Sequence, residues 1–496
     1  MTVVERDAVV DTPPAETNRW LVLVLVCLAQ FMVILDATIT NVALPSIQTD
    51  LGFTATDLQW VINGYTLLFG GFLLLGGRAG DLIGRKKIFL AGVALFSFAS
   101  LLCGLSTSSG MLIAARALQG LGAALVSPAA LSIITTTFAE GPDRTKALGV
   151  WSAIAAGGAA FGLLLGGILT ETLSWEWIFF VNVPVGIAAF LFSLRHVPES
   201  RAPGEHRSFD IGGAVSVTAG LIVLVYGIVK AESFGWGSAR TLGLFAAAIA
   251  LLTAFVAIES RSHAPLIRLG VFRIRSLTVA NVVLLAVGAG MFANFFFASL
   301  YVQQILGYNP LEAGLAFLPV TVGIGAGAAL AQQLVKRVDV RHIGIGGMIL
   351  AAIGLFILSR APVDGTYLGN LLPGLIPMSI GMGLTFVPIT LIATTNVGDE
   401  DAGLASGLFN TSQQVGGALG LAILSTLAAD KTASVLAGLG RRPGPADQAA
   451  AMVDGFHVAF LGATVLLLAG AVVLAALLRA RDTANINPAE MPVVGA

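Results

Sequence analysis

Runs of apolar residues close to bilayer length follow one another from residue 20 to residue 478. A spanning helix needs roughly 20 mostly apolar residues. Fourteen stretches meet that requirement: 20–45, 57–77, 88–107, 111–138, 147–170, 177–195, 211–231, 239–259, 277–303, 311–335, 343–361, 368–393, 402–428 and 455–478. Polar segments rich in Arg, Lys, Asp and Gly separate them. One such run fits a buried helix in a soluble core, but fourteen in series do not. The pattern predicts an all-α membrane protein, with glycines that let helix backbones approach closely.

Composition agrees. The 496 residues are 56% hydrophobic and 11% charged, against about 45–50% and about 25% in ordinary globular domains. A formal net charge of −1 argues against a nucleic-acid partner, which would call for a basic footprint. Cys27 and Cys103 sit in apolar runs and outline neither a disulfide framework nor a metal site. The first 19 residues are polar and mixed in charge, unlike a cleavable signal. Basic residues orient the chain. With both termini cytoplasmic, inner segments hold 20 of the 27 Lys and Arg and outer loops hold 6, while Arg116 lies inside a helix.

An internal repeat emerges at a nearly constant offset. Leu51-Gly52-Phe53 matches Leu306-Gly307-Tyr308 at 255, and Arg85 matches Arg341 at 256. Gly149, Gly158 and Gly162 match Gly407, Gly416 and Gly420 at 258. Asp57 and Glu312 sit where helix starts favour acids. The repeat predicts a cytoplasmic tail over 1–19 and a six-helix half over 20–195. A linker with two inserted helices follows over 196–276, then a second six-helix half over 277–478 and a tail over 479–496. Residues 260–276 read as a short amphipathic segment on the inner leaflet. The polar stretch 429–454 reads as a mobile outer loop.

Between the second and third runs lies G-R-A-G-D-L-I-G-R-K-K, Gly77 to Lys87. Gly77, Gly80 and Gly84 permit a tight turn, and Asp81 stands among Arg78, Arg85, Lys86 and Lys87. Basic residues alone would anchor the inner face, but that leaves the acid and glycines unexplained. This string resembles the cytoplasmic loop signature of the major facilitator superfamily, which is built from parallel six-helix halves. L-D-A-T-I-T-N-V-A-L-P, Leu35 to Pro45, resembles the first-helix motif of its fourteen-helix drug:proton antiporters. R-A-L-Q-G-L-G-A-A, Arg116 to Ala124, resembles the superfamily's buried-arginine motif. W-I-F-F-V-N-V-P-V-G, Trp177 to Gly186, is similar to the start of the family's sixth helix. The fifth helix keeps the glycines of the antiporter motif, Gly158, Gly162, Gly166 and Gly167. It departs at Leu163, where the family has proline; Glu176, between the two tryptophans ahead of the sixth helix, stands where the family has a basic residue. The resemblance covers about residues 20–480 and implies a proton-driven multidrug or antibiotic exporter of the EmrB/QacA type, multi-pass in the bacterial inner membrane.

Asp36 and Arg116 are the only ionisable residues deep in the predicted helices. Charges at mid-membrane cost about 2.5–3.5 kcal/mol on insertion scales and mark functional candidates by default. At about 1.5 Å per residue, Asp36 lies about 13 Å and Arg116 about 9 Å from the outer ends of their helices. They can share a layer, as a proton-coupling pair or as a purely structural one. Candidates for a drug path are Gln59, Asn63 and Tyr65, then Asn294, Phe295, Tyr301, Gln303 and Gln304, and Asn410, Gln413 and Gln414. Interhelical hydrogen bonding is the plain alternative for each. No Gly-Lys dipeptide exists, so there is no Walker A loop. The five histidines lack metal-ligand spacing. Neither an enzyme, a cofactor nor a metal is expected; the expected partners are a hydrophobic small molecule, cationic compounds among the candidates, protons and membrane lipids. A lipid or metabolite exporter on the same scaffold, and a non-transporting membrane sensor, are the competing readings.

Overall fold

The computed structural model describes residues 18–54, 56–139, 141–201, 210–262, 265–398 and 402–483. Every extended element among them is helical. In chain order these are α1 (Arg19–Leu51), α2 (Trp60–Ile83), α3 (Arg85–Gly104), α4 (Ser109–Thr137), α5 (Pro142–Thr172), α6 (Trp177–Phe180), α7 (Asn182–His196), α8 (Ile211–Phe234) and α9 (Ala239–Arg261). They continue with α10 (Arg275–Leu300), α11 (Pro310–Ala316), α12 (Leu318–Leu334), α13 (Val340–Leu358), α14 (Leu372–Thr394), α15 (Ala402–Gly438) and α16 (Pro445–Leu477). Among the described residues, thirteen helical segments are long and apolar enough to cross a membrane. The remaining predicted run, 147–170, lies within α5, where several side chains are outside the described set.

Packing repeats along the chain. α1 packs on α5, α2 on α4, α3 on α4 and α7; likewise α10 packs on α15, α12 on α14, and α13 on α14 and α16. Four of the glycines that match in sequence share one role, while Gly407 faces Leu74 of α2 instead. A Cβ on Gly158, Gly162 or Gly166 would press on α1, and one on Gly416 or Gly420 would press on α10. Gly167 instead meets Pro310 and Leu311 of α11. α8 and α9 pair with each other, and α8 also lies against α2 and α15. Large apolar side chains such as Val24, Phe98, Leu191, Ile249 and Val472 face outward. In water they would be a liability, and in a bilayer they are the solvent-matched surface.

Three boundaries differ from the sequence expectation. Residues 429–438 continue α15 and residues 445–454 begin α16, so the predicted loop shrinks to a few residues. These stretches are alanine-rich, with proline at the first turn of α16, and helix propensity extends both helices past the apolar run. Gly77 to Lys87 is two helix ends rather than a loop. Gly77 and Gly80 lie inside α2, and the turn is made at Gly84, whose φ is +133°. Residues 269–273 form a single 3-10 turn with Val271 buried, too short for the amphipathic segment expected over 260–276.

Proline shapes the site's framework. Pro45 lies inside α1 and has no N–H, so the Asn41 carbonyl loses its intrahelical donor. Ser299 Oγ of α10 donates to that carbonyl at 2.7 Å. Gln303 Nε2 donates to the Val42 carbonyl at 2.9 Å, and Gln304 Nε2 donates to Gln48 Oε1 at 2.8 Å. The two glutamines reach across from a π-helical turn, Tyr301–Ile305. These bonds tie the last turns of α1 to α10, at the face opposite the one where α1 begins. Above them is a depression of about 530 Å³ lined by Pro45, Thr49, Asp50, Gln303 and Tyr308.

Candidate functional site

Asp36 of α1 and Arg116 of α4 meet. Arg116 Nη1 donates to Asp36 Oδ2 at 2.5 Å, and both residues are buried. The other carboxylate oxygen, Oδ1, accepts from Gln119 Nε2 at 2.7 Å and from Asn182 Nδ2 at 3.1 Å. Arg116 also donates through Nη1 to Gln119 Oε1 at 2.8 Å and through Nε to the Val61 carbonyl of α2 at 3.0 Å. Its guanidinium lies 4.4 Å from the Tyr65 ring centroid and 5.6 Å from that of Phe179. Buried charges survive when they are paired and their remaining hydrogen-bonding positions are filled. Four helices supply the bonds here, α1, α2, α4 and α7, and α6 adds the face of Phe179.

A neutral layer surrounds the pair. Ser100 Oγ of α3 accepts from Gln119 and Asn182 at 3.2 and 3.1 Å and donates to the Phe179 carbonyl at 2.9 Å. Cys103 Sγ donates to Gln119 Oε1 at 3.4 Å. Gln119, Asn182 and Ser100 are fully buried. None had stood out as a site residue in the sequence. Gln119 lies three residues past Arg116, on the same helix face, and Asn182 lies inside the sixth-helix string; those were the available signals. Ser100 carried none.

The drug-path candidates lie on or beside α2, α10 and α15, each with its own contacts. Tyr65 joins the ion pair through its ring, and its hydroxyl is buried without a partner. Gln59 Nε2 donates to the Thr56 carbonyl, and Asn63 Nδ2 donates to Gln59 Oε1 at 3.4 Å. Tyr301 donates to the Pro362 carbonyl, while Gln303 ties α10 to α1. Phe295 packs on Phe317 with ring centroids 6.0 Å apart. Asn410 donates to its own helix at Ser406, Gln413 approaches Met291 Sδ at 3.8 Å, and Gln414 lies against Gly70. Asn294 is fully buried with both amide atoms unpartnered.

The motif around Gly84 docks within the amino-terminal helices. Arg85 donates through Nη2 to Asp81 at 2.9 Å, and its backbone N–H donates to the Ser200 carbonyl. Lys86 Nζ caps the end of α7 by donating to the Leu194 carbonyl at 2.8 Å, and its N–H donates to Glu199. A Cβ on Gly84 would strike the Glu199 carboxylate. Arg341, the repeat partner of Arg85, pairs with Asp339 at 2.8 Å and donates to the Leu478 carbonyl at the end of α16. Both motifs therefore clamp the end of the last helix in their own set.

Residues 26–421 match the Major Facilitator Superfamily. The chain is 42% identical over 472 residues to the puromycin resistance protein pur8 of Streptomyces alboniger, covering 95% of this chain and 93% of that one. It is 42% identical over 472 residues to the cephamycin export protein CmcT of Amycolatopsis lactamdurans, covering 94% of each. The fold resembles the inward-facing crystal structure of a bacterial homolog to the human lysosomal transporter Spinster. That likeness has a TM-score of 0.64 at 16% identity and covers 95% of this chain and 99% of that one.

Proposed function

The chain belongs to the Major Facilitator Superfamily, and from that premise we propose that it exports hydrophobic antibiotics or drugs across the bacterial inner membrane in exchange for protons. Cationic compounds are among the candidates. The observation that carries the proton half is the sealed Asp36–Arg116 pair, a titratable group in the interior of a transporter. The substrate class rests on the resistance and export functions in the relatives' names. We read the chain as fourteen helices, two six-helix halves with α8 and α9 inserted between them, and both termini cytoplasmic. The repeated packing and the 20-to-6 distribution of basic residues support this. The bonds from α10 to the end of α1 are then an outer gate, closed in this structure, and transport proceeds by rocking the halves about the buried pair.

Two results are expected. Ser299→Ala with Gln303→Leu removes three gate bonds made by these two side chains, of which two cross between the halves. At about 1 kcal/mol each, those two make about 2 kcal/mol, roughly thirtyfold in the open-to-closed ratio. A reporter Asn41→Cys should then react faster with an impermeant maleimide added outside; an unchanged rate removes the gate assignment. Asp81→Asn breaks a partly exposed pair with Arg85, of a kind worth about 0–1 kcal/mol. Abundance should stay near normal while export falls, because the clamp at Gly84 positions α2 and α3 against α7. Parental export in vesicles would sink that role.

A lipid-like cargo is the second reading. It is favoured by an apolar crevice of about 330 Å³ between α2, α4 and the start of α8, lined by Phe72, Leu75, Ala79, Leu121, Leu125 and Ile211. A susceptibility panel in a pump-deficient bacterial host, with and without this chain, decides between the two. Protection against hydrophobic antibiotics supports drug export, and no protection against any compound overturns it.

A further inference from the structure

We propose that Asn182 is the switching amide that receives the proton carried by Asp36. The proposal rests on the reading of Asp36 as the exchanging carboxyl and adds the group that makes its neutral form tenable. A protonated carboxyl carries one O–H donor and needs an acceptor, and a buried donor without one is costly. Asp36 Oδ2 faces Arg116, which only donates, so the proton belongs on Oδ1. Around Oδ1 the acceptors are nearly all committed. Gln119 Oε1 is held by Arg116 at 2.8 Å and by Cys103 at 3.4 Å. Ser100 Oγ already accepts from two amides. Asn182 Oδ1 is different: buried, without a partner, and on an amide whose nitrogen already touches Asp36 at 3.1 Å.

A half-turn of the Asn182 amide exchanges the two ends. The terminal torsion of asparagine is broad and roughly two-fold, so the turn needs no new rotamer. In the ionised state Nδ2 donates to the carboxylate and to Ser100, and Oδ1 waits unpaired. When a proton from water binds Oδ1 of Asp36, the new O–H donates to Asn182 Oδ1 while Nδ2 gives up Asp36 and Ser100 for the position Oδ1 held, so the turn exchanges two bonds from a neutral amide for one from a carboxylic acid. The other amide in contact, Gln119, cannot turn without breaking its bond from Arg116. Among titratable groups, Arg116 on α4 acts electrostatically on Asp36, and Asp36 in turn acts on Tyr65 on α2 and Cys103 on α3. Asn182 enters from α7, and its orientation reports the charge of α1's carboxyl to that helix.

Infrared difference spectroscopy of the purified full chain between high and low pH tests this. A carboxylic-acid band that disappears in Asp36→Asn identifies the proton on Asp36; its absence from the wild type overturns the reading of Asp36 itself. With that band present, asparagine carrying a 13C side-chain carbonyl should contribute an isotope-shifted amide band at low pH, moved to lower wavenumber by the accepted O–H and lost in Asp36→Asn. In Asn182→Leu the Asp36 acid band should move to higher wavenumber as its O–H loses the acceptor. No Asp36-dependent asparagine band in the wild-type protein overturns the proposal, whether or not the leucine variant folds. A folded Asn182→Leu with an unmoved acid band overturns it as well, since a residue that merely packs there would leave that band in place.

Discussion

Arg116→Leu is expected to deplete the folded protein from the membrane. The substitution leaves the Asp36 carboxylate buried with two neutral amides and no cation, and it removes the donor to the Val61 carbonyl. Breaking a buried pair by deleting one partner costs about 3–5 kcal/mol, whereas deleting both charges is far milder. The double variant Asp36→Asn with Arg116→Leu should therefore recover abundance that the single variant loses, while remaining inactive. Arg116→Lys should fold but transport poorly, since one ammonium cannot reach Val61, Gln119 and Asp36 in the fork geometry of a guanidinium. Fluorescence-detected size exclusion across the four proteins measures this. A single variant as abundant and stable as the parent would mean that the pair is dispensable to the fold.

Asp36→Asn has the larger functional effect. The amide oxygen still accepts from Gln119 and Asn182, and Arg116 keeps Gln119, the Val61 carbonyl and the faces of Tyr65 and Phe179. The loss of stability should accordingly be smaller than in Arg116→Leu. The fixed neutral side chain cannot exchange a proton, so substrate still binds but no longer moves against its gradient. In inverted vesicles energised by acidification, uptake of a fluorescent cationic dye should fall to the level of vesicles lacking the protein, with dye binding retained. Uphill uptake at the parental rate would remove Asp36 from the mechanism.

Much of this was legible in the sequence, for reasons that also explain what was not. Apolar runs of bilayer length identify the helices because lipid imposes a single length scale. They do not place helix ends, since the alanine-rich flanks at 429–438 and 445–454 are helical by propensity outside any apolar run. Asp36 and Arg116 stood out because a deep charge is costly, and the structure brings them into contact. Gln119, Asn182 and Ser100 did not stand out, because a neutral polar side chain in an apolar helix reads the same whether it packs against a neighbour or holds a carboxylate. Tyr65 and Gln303 show the same ambiguity in reverse. Both were singled out as candidates for a drug path; one lies under the guanidinium, and the other ties α10 to the Val42 carbonyl while lining the outer depression.

The central claim, that Asp36 couples export of a hydrophobic compound to proton exchange, is tested most directly with the purified protein in liposomes at uniform pH. A dye gradient is the only driving force, and a trapped pH indicator reads the interior. Dye entering with the protein should drive protons out in the wild type, at a rate that follows dye concentration, and should drive none in Asp36→Asn. Dye movement without proton counterflow in the wild type, or counterflow persisting in Asp36→Asn, would contradict it.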